Sequence, residues 1–330
     1  MSFFLRLGAL ALVLLSSSAL AQTAPRPKQY VIISFDGASF IEQWERSRAL
    51  AARTGARFTY FLSCVYLLSP ENRRLYQAPG MKAGRSNVGY GLSSEDVRAR
   101  LGEIWTAHNE GHDIASHGCG HFDGSDWSTA DWLKEFEQFR TIVRDAWQIN
   151  GIEGEPEGWR EFAESGFVGF RAPYLAVSDS LYQALQRDGF RYDASAVSRG
   201  PAEPVEKKGV TRFSLPLIPE GPSEKRIIAM DYNLYVRHSG GSERPNKAAL
   251  YEERAYKAFR AAFEREYAGE RVPLQIGFHF TLMNDGAYWR ALERFAEETC
   301  AKPDVRCVSY RQYLDETAPV SAGLRHSIDG

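Results

Sequence analysis

The sequence predicts an α/β protein folded as a distorted, TIM-like (β/α)7-8 barrel. Three observations lead there. About eight short β-rich runs alternate with amphipathic helical patterns, the mark of a parallel sheet with helical crossovers. At 330 residues, with 44% hydrophobic and 13% aromatic side chains, the chain can bury a large core, and barrels of this size commonly form one domain. The residues able to do chemistry fall at the ends of the β-rich runs, where a barrel collects them at its C-terminal mouth.

In chain order, residues 1–21 read as an export signal. Arg6 supplies the positive charge, Leu7 to Leu15 an apolar run too short to span a bilayer, and Ala19-Leu20-Ala21 a cleavage site. The expected product is a single domain over residues 22–330, exported to the periplasm or secreted, with no membrane span after cleavage. Strands are predicted at Tyr30 to Phe35, Arg57 to Ser63, His112 to His117, Val168 to Arg171, Arg191 to Ala196, Ile227 to Tyr232, Leu274 to Phe280 and Val305 to Tyr310. Helical spacing is clearest at Ser93 to Asn109, Thr129 to Gln148, Ser178 to Arg187, Lys247 to Tyr267 and Ala287 to Glu298. Three stretches rich in Pro, Gly or charge read as irregular: Val65 to Gly91, expected to overhang the mouth, Gly151 to Gly166, and Pro201 to Glu224, a possible flap. The net charge of -2, with cations scattered among carboxylates, gives no nucleic-acid surface and no polybasic membrane patch.

Residues 111–126 hold the densest chemistry. His117 and His121 stand four apart at the end of a strand, and Gly118, Gly120 and Gly124 free the backbone to fold back, so both imidazoles can face one divalent metal. Around them, Asp36 ends the first strand, Arg171 to Tyr174 the fourth, Asp193 lies in the fifth, Asp231 near the end of the sixth and His279 near the end of the seventh. Any one such aspartate is an ordinary turn or cap residue; their shared placement is what points to a site. Export makes the four cysteines disulfide candidates. Cys300 and Cys307 enclose a short loop and should pair, whereas Cys64 and Cys119 either pair or leave Cys119 as a thiolate ligand between the histidines.

These motifs, in this order from Val31 to about Leu314, resemble the NodB-homology polysaccharide deacetylases, carbohydrate esterase family four. Val31-Ile-Ile-Ser-Phe-Asp36 is similar to the first motif, Gly111 to His121 to the metal-binding second, Phe170-Arg-Ala-Pro-Tyr174 to the third and Ile276-Gly-Phe-His279 to the last. Arg171-Ala-Pro-Tyr-Leu followed by Tyr192-Asp-Ala-Ser195 is most similar to the chitin-deacetylase branch. The resemblance implies one divalent metal, usually zinc, on His117 and His121, and hydrolysis of N-acetyl groups from an amino-sugar polymer. It implies Asp36 as general base, His279 as general acid and Arg171 as the group orienting Asp36, with Tyr174, Asp193 and Asp231 as substrate-binding or tuning residues.

One position departs from the family. A metal-ligand aspartate should follow Asp36, and Gly37 stands there instead. Water could fill the vacancy, Asp36 could become a ligand with Asp231 or Asp193 as base, Asp123 could substitute, or the chemistry could be lost. The last case would leave a glycan-binding protein on a deacetylase barrel, using aromatics such as Tyr90, Trp127, Tyr174 and Tyr235. A third reading keeps a metal amidohydrolase but replaces the glycan by a small amide. Arg73, Arg74, Lys82 and Arg85 in the first insert would suit an acidic polymer.

Overall fold

The computed structural model describes residues 26–318, so the expected export signal at residues 1–21 lies outside the described residues. Strand β1 (Gln29–Gly37) is central. It pairs in parallel with β2 (Thr59–Leu62) on one edge and β9 (Leu274–His279) on the other, while its N-terminal half also receives β10 (Val305–Val308). From β2 the sheet runs in parallel through β3 (Asp113–Ser116), β4 (Gly169–Phe170) and β5 (Tyr192–Ser198) to β7 (Val210–Glu220). The ring closes weakly. Ala229 donates to Pro216 O of β7 at 2.9 Å, and Met230 forms a single parallel bridge to Gly277 of β9. Gly277 leaves room there for the Met230 side chain, whose Cε would lie 2.6 Å from a Cβ at that position.

Seven of the eight predicted strands hold, with small shifts at their ends. The eighth is a correction. Ile227 to Tyr232 is not a barrel strand: Lys225–Ile228 (β8) folds back antiparallel on β7, and Asp231 is the first residue of helix α6 (Asp231–Ser239). Only Ala229 and Met230 of that stretch bridge the ring, between β7 and β9, and β7 itself, within the stretch expected to be a flap, is a ring strand beside β5. Two prolines, Pro216 and Pro219, disguise β7 in sequence; its free edge is shared between the short β6 (Val205–Lys207) and β8, which lets it hold them. The Gly151 to Gly166 stretch likewise contains a helix, α4 (Trp159–Ser165).

The helices α1 (Ile41–Thr54), α2 (Ser94–Asn109), α3 (Thr129–Ile149), α5 (Asp179–Asp188), α7 (Ala248–Ala268), α8 (Met283–Cys300) and α9 (Tyr310–Thr317) complete the described chain. Helix α3 shows the local logic. Ser128 and Asp131 form a reciprocal capping box, and Trp132, Phe136, Phe139, Ile142 and Val143 recur at helical spacing on its buried face. The sheet has period two. On β1, Val31, Ile33 and Phe35 face the helices, while Ile32, Ser34 and Asp36 face inward. Phe61, Ala115, Ala194, Phe213 and Tyr310 join Ile32 in the inner cluster, so the barrel is a packed core rather than a channel.

Both disulfides form, Cys300–Cys307 as expected and Cys64–Cys119, so Cys119 is no thiolate ligand. The first insert is not a free overhang. Val65, Leu67, Leu68, Tyr76 and Ala78 are buried in the main core, and only its outer side is exposed. Among the described residues, no helix is long and apolar enough to cross a membrane.

Candidate active site

Inward phase at a strand end is what collects the site. Asp36 and His279 end neighbouring strands and are cross-strand partners. Two positions round the ring, His117 follows β3, with its N–H on Leu62 O at 2.9 Å, and Arg171 follows β4, with its N–H on Ser116 O at 3.0 Å. All four lie beyond the C-terminal ends of their strands or at the last residue or two.

Arg171 is wholly buried. Its guanidinium donates to Asp36 Oδ1 at 2.7 Å, and to Ser34 Oγ, Ala194 O and Tyr310 Oη at 2.9 Å each, and lies 4.2 Å from the Phe61 ring centroid. Burial pushes the Asp36 carboxyl up, but the charge and hydrogen bond of the Arg171 guanidinium, aided by His279, outweigh it and hold the group below the ordinary carboxylate range. Asp36 is therefore an anion fixed at one oxygen.

His117 is held in one tautomer. Its Nδ1 lies 2.8 Å from Arg171 O, and a carbonyl only accepts, so Nδ1 carries the proton and Nε2 is bare. Burial drives it down to about 3, so it is neutral. His121, with φ of 54°, is partly buried and also shifted down by burial; its ring centroid is 5.1 Å from that of His117 and 4.7 Å from Tyr174. Tyr174 is 60% exposed with φ of 58°, a strained conformation at the lip of the mouth.

His279 and Asp231 form a second pair. Asp231, fully buried, accepts the His279 Nδ1–H at 2.7 Å with Oδ1 and the His279 backbone N–H at 2.8 Å with Oδ2, leaving Nε2 to the mouth. Burial pulls His279 down, but the Asp231 charge and hydrogen bond, with Asp36, outweigh it and raise the imidazole above its ordinary value. The stability from this pair is present below the ordinary histidine value and is lost as pH rises through the raised one. If protonated His279 is needed for turnover, activity falls along the same alkaline limb. Asp231→Asn should move that limb to lower pH, which a pH–kcat profile measures; an unmoved limb would detach His279 from the chemistry.

Asp193 does not reach the mouth. It lies on the outer phase of β5, wholly buried, where its carboxylate accepts from Ser195 Oγ at 2.5 Å and Ser195 in turn accepts the Ala172 N–H at 2.8 Å. Burial pushes it up to about 6. It braces the Arg171–Tyr174 turn from behind, which corrects its reading as a substrate-binding residue. Of the four aromatics offered for stacking, only Tyr174 is exposed; Tyr90, Trp127 and Tyr235 pack against the core. Phe40 and Tyr232, 57% and 52% exposed, stand on the loops after β1 and at the start of α6. A cleft of about 380 Å³ lies between the segments that follow β1 and β9, lined by Phe40, Ile41, Glu42, Gln43, Thr281 and Leu282; Asp36 and His279 do not line it.

Sequence reasoning missed Glu135. Buried on the inner side of α3, it accepts the Cys119 N–H at 2.7 Å and the Tyr76 O–H at 3.0 Å, directly beneath the turn that carries both histidines. Burial pushes it up to about 7. A charged residue on the apolar stripe of α3 was its signal.

For the metal implied by the sequence, two donors fit: adjacent, neutral imidazoles, one with its outer nitrogen anchored on a carbonyl. A third does not. Gly37 brings no side chain, Cys119 is in a disulfide, and Asp123 is committed to the Ser125 N–H. Among the described residues, no group of three or more His, Cys, Asp and Glu side chains could hold a metal ion. The donor set does not fit the three-ligand zinc site usual in catalysis. Weak zinc binding is expected, abolished by His117→Ala; calorimetry showing tight binding to the wild type would place a third ligand that the geometry lacks.

No family model matches the sequence, and no curated protein matches it. Solved structures do. A Mycobacterium smegmatis protein assigned as a polysaccharide deacetylase is 16% identical, with 89% of this chain and 92% of its own covered and a TM-score of 0.54. One of Pseudomonas aeruginosa PAO1, assigned likewise, is 14% identical, with 90% and 96% covered and a TM-score of 0.51. The PuuE allantoinase matches at 15% identity, 90% and 96% coverage and a TM-score of 0.51. At such identities the likeness establishes architecture, and the chain has the (β/α)-barrel fold of the NodB-homology polysaccharide deacetylases.

Proposed function

We propose that this chain is an exported hydrolase that removes N-acetyl groups from an amino-sugar polymer. One observation carries the reading: an ionised Asp36, bare His117 Nε2 and Asp231-backed His279 share one mouth, with their protonation states set apart by their surroundings. The two similar deacetylase-assigned structures support a glycan substrate.

Amide hydrolysis needs a base for water, an acid for the departing amine and groups that hold the carbonyl. Asp36, fixed through Oδ1 by Arg171, keeps Oδ2 for the proton of an attacking water. His279, protonated on Nε2 and oriented through Nδ1, gives a proton to the sugar amine as it leaves. His117 and His121 face the same space. Tyr174, Phe40 and Tyr232 offer surfaces on which sugar rings can stack.

Gly37 and the two-donor set favour a second reading, a glycan binder with impaired chemistry. Acetate release from N-acetylglucosamine oligomers separates them, assayed with and without added zinc, using wild type and His279→Ala. Release by the wild type and its loss in the variant support hydrolysis; oligomer binding without release leaves the binder.

A further inference from the structure

The segment from Val65 to Gly91 carries four cations, Arg73, Arg74, Lys82 and Arg85, against one carboxylate, Glu71, in a chain of net charge -2. All four cations are exposed. Elsewhere most arginines are neutralised: Arg46, Arg48, Arg140, Arg254, Arg290 and Arg306, among others, lie in ion pairs. None of these four has a carboxylate partner or a side-chain hydrogen bond among the described residues. An uncompensated cluster costs self-repulsion and stabilises nothing within the chain.

The cluster is built on a rigid base. Gly84 N–H bonds Tyr76 O at 2.8 Å, laying 84–87 beside 73–76, and a Cβ at Gly84 would touch the Cγ atoms of both Arg73 and Arg74 at 3.4 Å. Arg73, Arg74 and Arg85 are thereby brought together. Buried Tyr76 and Ala78 anchor this base in the core. The same segment touches the site. Asn87 donates its backbone N–H to Gly120 O at 2.8 Å and its side-chain Nδ2 to His121 O at 3.2 Å, and Ser86 Oγ donates to Gly120 O at 3.2 Å. Arg85 is two residues from Asn87, so the backbone that carries the cations is tied to the His121 turn at the edge of the mouth.

We propose that this face is a specificity subsite that selects an anionic glycan, an N-acetylhexosamine polymer carrying carboxylates, over a neutral one. The inference rests on the hydrolase reading for its substrate, but its test does not depend on turnover. Exposed guanidinium groups take carboxylates in forked, charge-assisted contacts, and a polymer lying across the mouth would meet several at once. Such contacts weaken as salt screens them.

The experiment measures binding of the full chain to two probes, hyaluronan oligosaccharides, which alternate N-acetylglucosamine with a uronate, and neutral chitin oligomers of equal length. The wild type should bind hyaluronan more tightly, by a margin that shrinks with salt. The triple variant Arg73→Glu/Arg74→Glu/Arg85→Glu should lose roughly tenfold in hyaluronan affinity, as expected for three surface charge contacts, and keep its chitin affinity. A triple Gln variant should fall between. Equal affinity for both probes, binding of neither, or a hyaluronan affinity unmoved by charge reversal overturns the proposal. Acetate release read alongside keeps the two readings apart. Release without charge preference sinks the subsite alone, and preference without release sinks the hydrolase.

Discussion

Asp36→Asn should lower kcat for acetate release by about 10²- to 10⁴-fold, the range for loss of a positioned general base, with little change in fold. The asparagine keeps an oxygen for the Arg171 guanidinium, which retains Ser34, Ala194, Tyr310 and the Phe61 ring as partners. Circular dichroism should be that of the wild type, and oligomer binding should survive. A loss of less than tenfold would remove Asp36 as base and leave no second carboxylate at the mouth to replace it. Asp193 faces away from it, and Asp231 is committed to His279 through both oxygens.

Arg171→Leu should act on stability, and more strongly than Asp36→Asn, which leaves the buried guanidinium without its anion but keeps an oxygen for it. It leaves Asp36 as a buried charge without a partner and strips Ser34 Oγ, Ala194 O and Tyr310 Oη of a donor. Removing one member of a buried pair costs about 3–5 kcal/mol, a large part of the stability of an ordinary domain. Denaturant unfolding should show it, and Asp36→Ala in the same background should recover part of the loss, because the stranded charge goes with it. Sign and pH agree. The lowered Asp36 contributes stability above the ordinary carboxylate value and loses it as pH falls through its folded value, so the wild type and Arg171→Leu should converge in acid. Additive effects in the double variant would mean that the two residues do not act as a pair.

Much of the site was legible in the chain. Asp36, His117, Arg171 and His279 each end an apolar run of alternating phase, and that phase already says which residues share the inner face: Ile32, Ser34 and Asp36 on one strand, Gln275 and His279 on another. The same rule applied to Tyr192-Asp193-Ala194 would have turned Asp193 outward. Local pattern alone determined the β/α alternation, the chemistry at the strand ends and the short Cys300–Cys307 link, because each depends on residues close in sequence.

Tertiary structure decided the rest. β7 became a ring strand despite two prolines because its partners could accept a missing donor at one edge. Asp231 left the predicted sixth strand to begin α6, and that shift aims both its oxygens at His279, 48 residues away. Glu135 reached the back of the histidine turn only because α3 packs against the first insert, where Tyr76 meets it. Whether a third donor would join His117 and His121 was likewise unwritten in any local pattern. Partners separated by tens of residues are chosen by packing and register, which balance contacts along the whole chain, and no short window of sequence carries that balance.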